Sequence, residues 1–127
     1  MYITIDATDQ RPIYQQVVDE IKAIIAAGEL PEGSSLPPVR QVAADLGVNL
    51  NTIAFAYRQL QGAGLIKVNH GSGAVVIARV VTKSDEERLH GKLMPVLTDL
   101  VLSGLTRSEV IALVNNALNR LAGEKNR

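Results

Sequence analysis

Apolar side chains recur at two periods along this chain, and the switches between them outline its elements. Tyr2-Ile3-Thr4-Ile5 alternates and is rich in β-branched residues, which predicts a short strand. Ile13, Val17, Ile21 and Ile24 then recur every three or four residues, forming the apolar stripe of a helix. Pro12 suits the first position of that helix and Gly28 ends it. Pro31-Glu32-Gly33-Ser34-Ser35 reads as a loop. Pro37-Pro38 starts a second, shorter helix with Val39, Val42, Ala43 and Leu46 inward and Gly47 as its stop. Asn49 or Asn51 caps a third, which carries Ile53, Ala56, Tyr57 and Leu60 and ends at Gly62 and Gly64. Leu65-Ile66-Lys67-Val68-Asn69 and Ala74-Val75-Val76-Ile77-Ala78 are strands around His70-Gly71-Ser72-Gly73, the spacing of a hairpin.

Past the charged stretch Lys83–Arg88 the period is helical again, through Leu89, Leu93, Val96, Leu97, Leu100 and Val101. Gly91 and Pro95 interrupt it, and Pro95 is expected to kink this helix or to mark its true start. Thr106 and Glu109 have the spacing of a capping box, Thr at the cap and Glu three residues on. Val110, Val114, Ala117 and Leu121 form the stripe behind it, widened by Ile111, Leu113 and Leu118.

These elements predict an α+β fold: a winged helix-turn-helix of three helices plus a β-hairpin wing, followed by a two-helix C-terminal dimerisation extension. The boundary is placed between residues 80 and 81, giving domains 1–80 and 81–127, with the helix-turn-helix at about 36–55. Within it, Ala43 is small where two helices must approach, and Gly47 lets the backbone reverse. Ile53 follows as an apolar wedge.

Facing arithmetic on the third helix, at about 100° per residue, gathers Ile53, Ala56, Tyr57 and Leu60 in one sector. Asn51, Phe55 and Arg58 point nearly opposite, flanked by Thr52, Ala54 and Gln59. Asn can pair with an adenine edge, Thr and Arg can hold phosphates, and Phe can meet a thymine methyl. Phe55 is the chain's single Phe, and its place opposite the core marks a contact surface.

Composition narrows the alternatives. The 127 residues suit one domain, or a small domain with an appendage. No apolar run approaches the ~18 residues of a membrane span, and the N-terminus lacks a signal pattern, so a cytoplasmic protein with no membrane partner is expected. Zero Cys removes disulfide scaffolds and thiolate metal sites. Only His70 and His90 are present, in different elements and without matching carboxylates, so neither a metal, a cofactor nor a catalytic centre is expected. Gly71-Ser72-Gly73 is followed by a strand and no Gly-Lys-Ser/Thr, which makes it a turn and not a phosphate cradle.

Several segments carry a resemblance. Pro12-Ile13-Tyr14-Gln15-Gln16, Gly28-Glu29-Leu30-Pro31-Glu32-Gly33 and Leu36-Pro37-Pro38-Val39-Arg40 are similar to the GntR family of bacterial transcription regulators. So are Leu46-Gly47-Val48-Asn49-Leu50-Asn51-Thr52, Ala56-Tyr57-Arg58-Gln59-Leu60 and Gly64-Leu65-Ile66, in order and with the family's gaps. The short two-helix remainder resembles the YtrA branch. The resemblance implies that Arg40 contacts DNA from the start of the second helix. It places Asn49, Asn51 and Thr52 at the polar N-terminus of the recognition helix, and Tyr57 and Arg58 near the phosphate backbone. His70 and Gly71 fall at the wing tip, where a Gly fits a narrow minor groove. Pro38, Leu50 and Phe55 stand where the family more often has a Ser, a Pro or basic residue, and a basic residue. Those differences bear on which operator is read.

Leu93, Val96, Leu97, Leu100, Val110, Val114, Ala117, Leu118 and Leu121 supply more apolar surface than the winged helix needs for its own cover. They predict a homodimer that presents two recognition helices to palindromic operator DNA, most simply as a repressor acting by occlusion. Any small-molecule effector is unspecified by the sequence. The balance of 13 Lys+Arg and 13 Asp+Glu, with a pI near 6.7, pulls the other way. It keeps open a winged helix used for protein–protein contact without DNA. Residues 1–80 carry six basic and seven acidic side chains, so attraction to DNA has to come from a small positive face.

Overall fold

A computed structural model describes residues 1–69, 73–77 and 82–122. The chain divides into two compact units, residues 1–79 and 80–127. In the first unit the element order is α1 (Ile13–Ala26), β1 (Ser35–Leu36), α2 (Val39–Leu46), α3 (Leu50–Gly62), β2 (Ile66–Val68) and β3 (Ala74–Val76). The second unit holds α4 (Lys83–Leu102) and α5 (Arg107–Ala122).

The three helices enclose one core. Val17 and Ile21 come from α1, Val42 and Ala43 from α2, and Ile53, Ala56, Tyr57 and Leu60 from α3, with Ile66, Ala74 and Val76 from the sheet beneath. The four α3 residues are those that the 3.6-residue period places on one face. On α1 the buried stripe runs through Gln16, Val17, Val18 and Ile21, while Ile13 stays exposed because the helix is rotated toward Tyr14 and Ile25. Pro12 is the residue before this helix and not its first, with ψ at 149° and its carbonyl accepting from the amides of Gln15 and Gln16.

The sheet has three antiparallel strands in the order β1-β3-β2. The hairpin pairs Ile66 with Val76 and Val68 with Ala74, and the outer edge of β3 is taken by Ser35 and Leu36. This corrects two expectations. Residues 2–5 are not a strand, and part of the loop predicted before Pro37 is. Ile3 and Ile5 still pack on the core. The buried Gln16 side chain holds this segment in place, accepting from the Asp6 amide at 2.9 Å and donating to the Arg11 carbonyl at 3.1 Å.

In the second unit α4 begins at Lys83 behind a reciprocal cap between Thr82 and Asp85, and runs unbroken through Pro95. Pro95 therefore does not mark the helix start. Its missing N–H leaves the carbonyl of Gly91 without the usual intrahelical donor. The capping box of α5 forms as the spacing requires: the Thr106 amide donates to Glu109 Oε1 at 3.1 Å, and the Glu109 amide to Thr106 Oγ1 at 3.2 Å. None of the described residues of α4 and α5 is buried. No described helix is long and apolar enough to cross a membrane.

Candidate nucleic-acid interface

The turn between α2 and α3 depends on Gly47, whose φ of 67° is left-handed and disfavours any residue with a Cβ. The amides of Gly47 and Val48 donate to the carbonyls of Ala44 and Ala43, which closes the end of α2. Asn49 then caps α3, its Oδ1 accepting from the Asn51 amide at 2.7 Å. Between the two candidate caps, the geometry selects Asn49. With Oδ1 engaged in this way, its amide N–H groups are its main free contribution.

This arrangement leaves Asn51 exposed at the first turn of α3, with Leu50 exposed beside it and Thr52 half-buried. Pro38 and Arg40 are exposed at the start of α2, and Arg58 is exposed on α3. His70 and Gly71 of the expected wing tip lie outside the described residues. Behind the tip, the Gly73 carbonyl accepts from the Asn69 amide at 2.8 Å. Gly73 has φ of 80°, and a Cβ there would lie 3.0 Å from the Leu36 carbonyl oxygen. The chain thus enters β3 beside the end of β1 in a conformation that favours Gly.

Tyr57 does not belong to the exposed face. It is 1% exposed, and its hydroxyl donates to the Pro37 carbonyl at 2.6 Å. Burial raises the pKa of the phenol well above its ordinary value, so it stays neutral. A direct phosphate contact is therefore corrected to a structural tie between α3 and the entrance of α2. The facing arithmetic had already put Tyr57 inward.

Phe55 is exposed opposite the core, as the facing arithmetic expects, and has contacts that the arithmetic does not give. It is 37% exposed, and its ring meets Tyr14 of α1 edge-on, with centroids 4.7 Å apart and planes at 86°. The Arg58 guanidinium lies over the same ring, 5.7 Å from its centroid. Tyr14 was not foreseen as part of this surface, because the period of α3 carries no information about what α1 places beside it.

The charges sort themselves around this face. Arg11 is occupied by Asp9 and Asp19, and its guanidinium holds the Asp9 carboxyl below the usual range. Arg40, Arg58, Lys22 and Lys67 make no ion pair among the described residues. Neutral overall charge thus coexists with unneutralised cations at α2 and α3. Among the described residues, no cluster of His, Asp or Glu could hold a metal ion.

Residues 13–76 match the family model described as bacterial regulatory proteins, gntR family. The chain belongs to the GntR family. The HTH-type transcriptional repressor YtrA of Bacillus subtilis is 31% identical over 87 residues, covering 68% of this chain and 67% of that protein. Among solved GntR-like folds, a transcriptional antiterminator from Listeria monocytogenes EGD-e superposes with a TM-score of 0.84 at 29% identity, covering 92% of this chain and 90% of that one. The AraR DNA-binding domain, solved in complex with operator ORX1, superposes with a TM-score of 0.53 at 25% identity, over 60% of this chain and 95% of that one. The chain spans 67% and 62% of the first curated relatives it matches, and 28% of a longer one. GntR proteins and these relatives are transcription regulators, not enzymes.

Proposed function

We propose that this protein is a sequence-specific transcriptional repressor that binds a palindromic operator as a homodimer in the cytoplasm. The observation that carries the DNA-binding part is the exposed first turn of α3. There Asn51 stands free beside Leu50 and Thr52, with the unpaired cations Arg40 and Arg58 nearby. Arg40 and Arg58 hold phosphates, Asn51 reads a base edge, and the wing tip around His70 and Gly71 enters the adjacent minor groove. Relatives bearing the repressor name and the AraR domain bound to its operator support the same reading.

Dimerisation is supported by the surface of α4 and α5. Leu93, Val96, Val114, Leu118 and Leu121 are all exposed, and Leu97, Leu100, Val110 and Ala117 are only half-covered. Eleven large apolar side chains of this unit stand at 38% exposure or more. A surface of that kind is characteristic of an oligomer interface. A second copy satisfies it and supplies the two-fold symmetry a palindrome requires.

Titrating the full chain against duplex DNA at several salt concentrations tests the proposal. A dimer neutralising several phosphates loses affinity steeply between about 50 and 200 mM salt. Weak binding that ignores both salt and sequence would instead favour a winged helix that contacts protein.

A further inference from the structure

Arg58 is the one cation of α3. It borders two hollows at once. One, of about 420 Å³, lies along the α1–α3 seam with Gln15, Lys22 and Gln59. The other, of about 350 Å³, is walled by Val39, Ala54 and Val68. Arg58 makes no ion pair or hydrogen bond among the described residues. A guanidinium on a long stem, free to turn into either hollow, gives up rotamer entropy when it grips a phosphate. A single contact narrows that choice, the Phe55 ring one turn earlier on the same helix face. The ring also meets that of Tyr14 in a T-shaped contact, so α1 braces the platform on which the cation rests.

Resting on the DNA-binding reading above, we propose that Phe55, braced by Tyr14, is a positioning residue for Arg58. The Tyr14–Phe55–Arg58 array holds the guanidinium ready for a backbone phosphate, and Phe55 contributes to affinity through Arg58 and not by reading a base. The Phe55 ring already meets another ring and a cation within the chain, so it acts through the cation beside it even though 37% of the residue stays exposed.

A double-mutant cycle on the full chain separates the two roles. The probes are a duplex from upstream of the protein's own gene and a scrambled duplex of equal length, titrated between about 50 and 200 mM salt. Arg58→Ala lowers affinity for both duplexes and reduces the salt slope by about one per copy of the chain. Phe55→Leu weakens both duplexes by about two- to fivefold, the scale of a cation–π contact. In the Arg58→Ala background it has no further effect. Phe55→Tyr keeps the ring and binds like wild type, and Tyr14→Leu behaves as a milder Phe55→Leu. The inference is overturned if Phe55→Leu and Arg58→Ala multiply independently. It is equally overturned if Phe55→Leu shifts preference at one base pair with the salt slope unchanged. Wild-type binding to neither duplex overturns both this inference and the reading beneath it. Binding that is sensitive to Asn51→Ala, with an independent Phe55 effect, overturns this one alone.

Discussion

The Tyr57 hydroxyl reaches across from α3 to the carbonyl oxygen of Pro37, 2.6 Å away, at the point where the chain turns into α2. The Pro37 carbonyl lies just ahead of α2, so this phenol ties the middle of α3 to the entrance of α2. Arg40 sits three residues beyond Pro37, and Asn51 six residues before Tyr57. The tie joins α2 and α3 behind the cation expected on the backbone and the amide expected on a base. Tyr57→Phe removes the donor and leaves a part-buried carbonyl unpaired, costing about 1–2 kcal/mol. Chemical denaturation should register that loss, while DNA affinity per folded molecule changes little.

Arg40→Ala and Asn51→Ala should fail in different ways. Losing Arg40 removes a phosphate contact, so affinity falls evenly across sequences and the salt slope drops by about one per copy. Losing Asn51 costs about 1–3 kcal/mol at one base position and relaxes preference there. Selection from a randomised duplex pool reads both patterns. If the two variants select the same sites as wild type with the same strength, the face has been misassigned.

Gly73 is the most constrained Gly among the described residues of the wing. Its φ of 80° and the 3.0 Å approach to the Leu36 carbonyl leave an added methyl no room without moving β1 from β3. Gly73→Ala should destabilise the first unit by about 1–2 kcal/mol. Amide exchange should show the loss concentrated on the β1–β3 pairing, where the Val76 amide donates to the Ser34 carbonyl.

Leu118 of α5 is exposed in the isolated chain, so a charge there is tolerated by the monomer and rejected by an apolar interface. Leu118→Glu should shift sedimentation from dimer to monomer and weaken operator binding by much more than tenfold, because two half-sites no longer bind as one. A variant that stays dimeric places the interface elsewhere.

Acid should loosen α5 first at its N-terminus. The Thr106 amide and hydroxyl hold the Glu109 carboxyl below its usual 4.5. A depressed folded-state pKa means the cap's contribution is complete above 4.5 and is lost as pH falls from there through the lower folded value. Helix content followed by circular dichroism should show this acid dependence in wild type and a smaller one in Glu109→Gln, the remainder coming from other carboxylate caps such as Asp85 on α4.

The helices and the hairpin were legible because each carries a period of its own: Ile53, Ala56, Tyr57 and Leu60 are inward for reasons contained within α3. The strand at Ser35–Leu36 was not. Two residues are too few to show alternation, and what makes them a strand is the unpaired edge of β3, some 40 residues away in sequence. Tyr2–Ile5 alternates and packs on the core, yet finds no partner strand. Phe55 shows the same boundary at the candidate site. A helical wheel places it opposite the core of its own helix, where it is exposed, but says nothing of the T-shaped contact that Tyr14, on another element, makes with it. Tyr57 marks the reverse case, in which the wheel was right and a role carried over by resemblance was not.

The central claim is that a dimer reads a two-fold operator with α3. A footprint of the purified full chain on DNA upstream of its own gene tests it most directly. The account predicts two protected half-sites related by two-fold symmetry, centred about 34–36 Å apart or a multiple of that, and abolished together by Leu118→Glu. Protection of one unpaired site, or none at moderate salt, would contradict it.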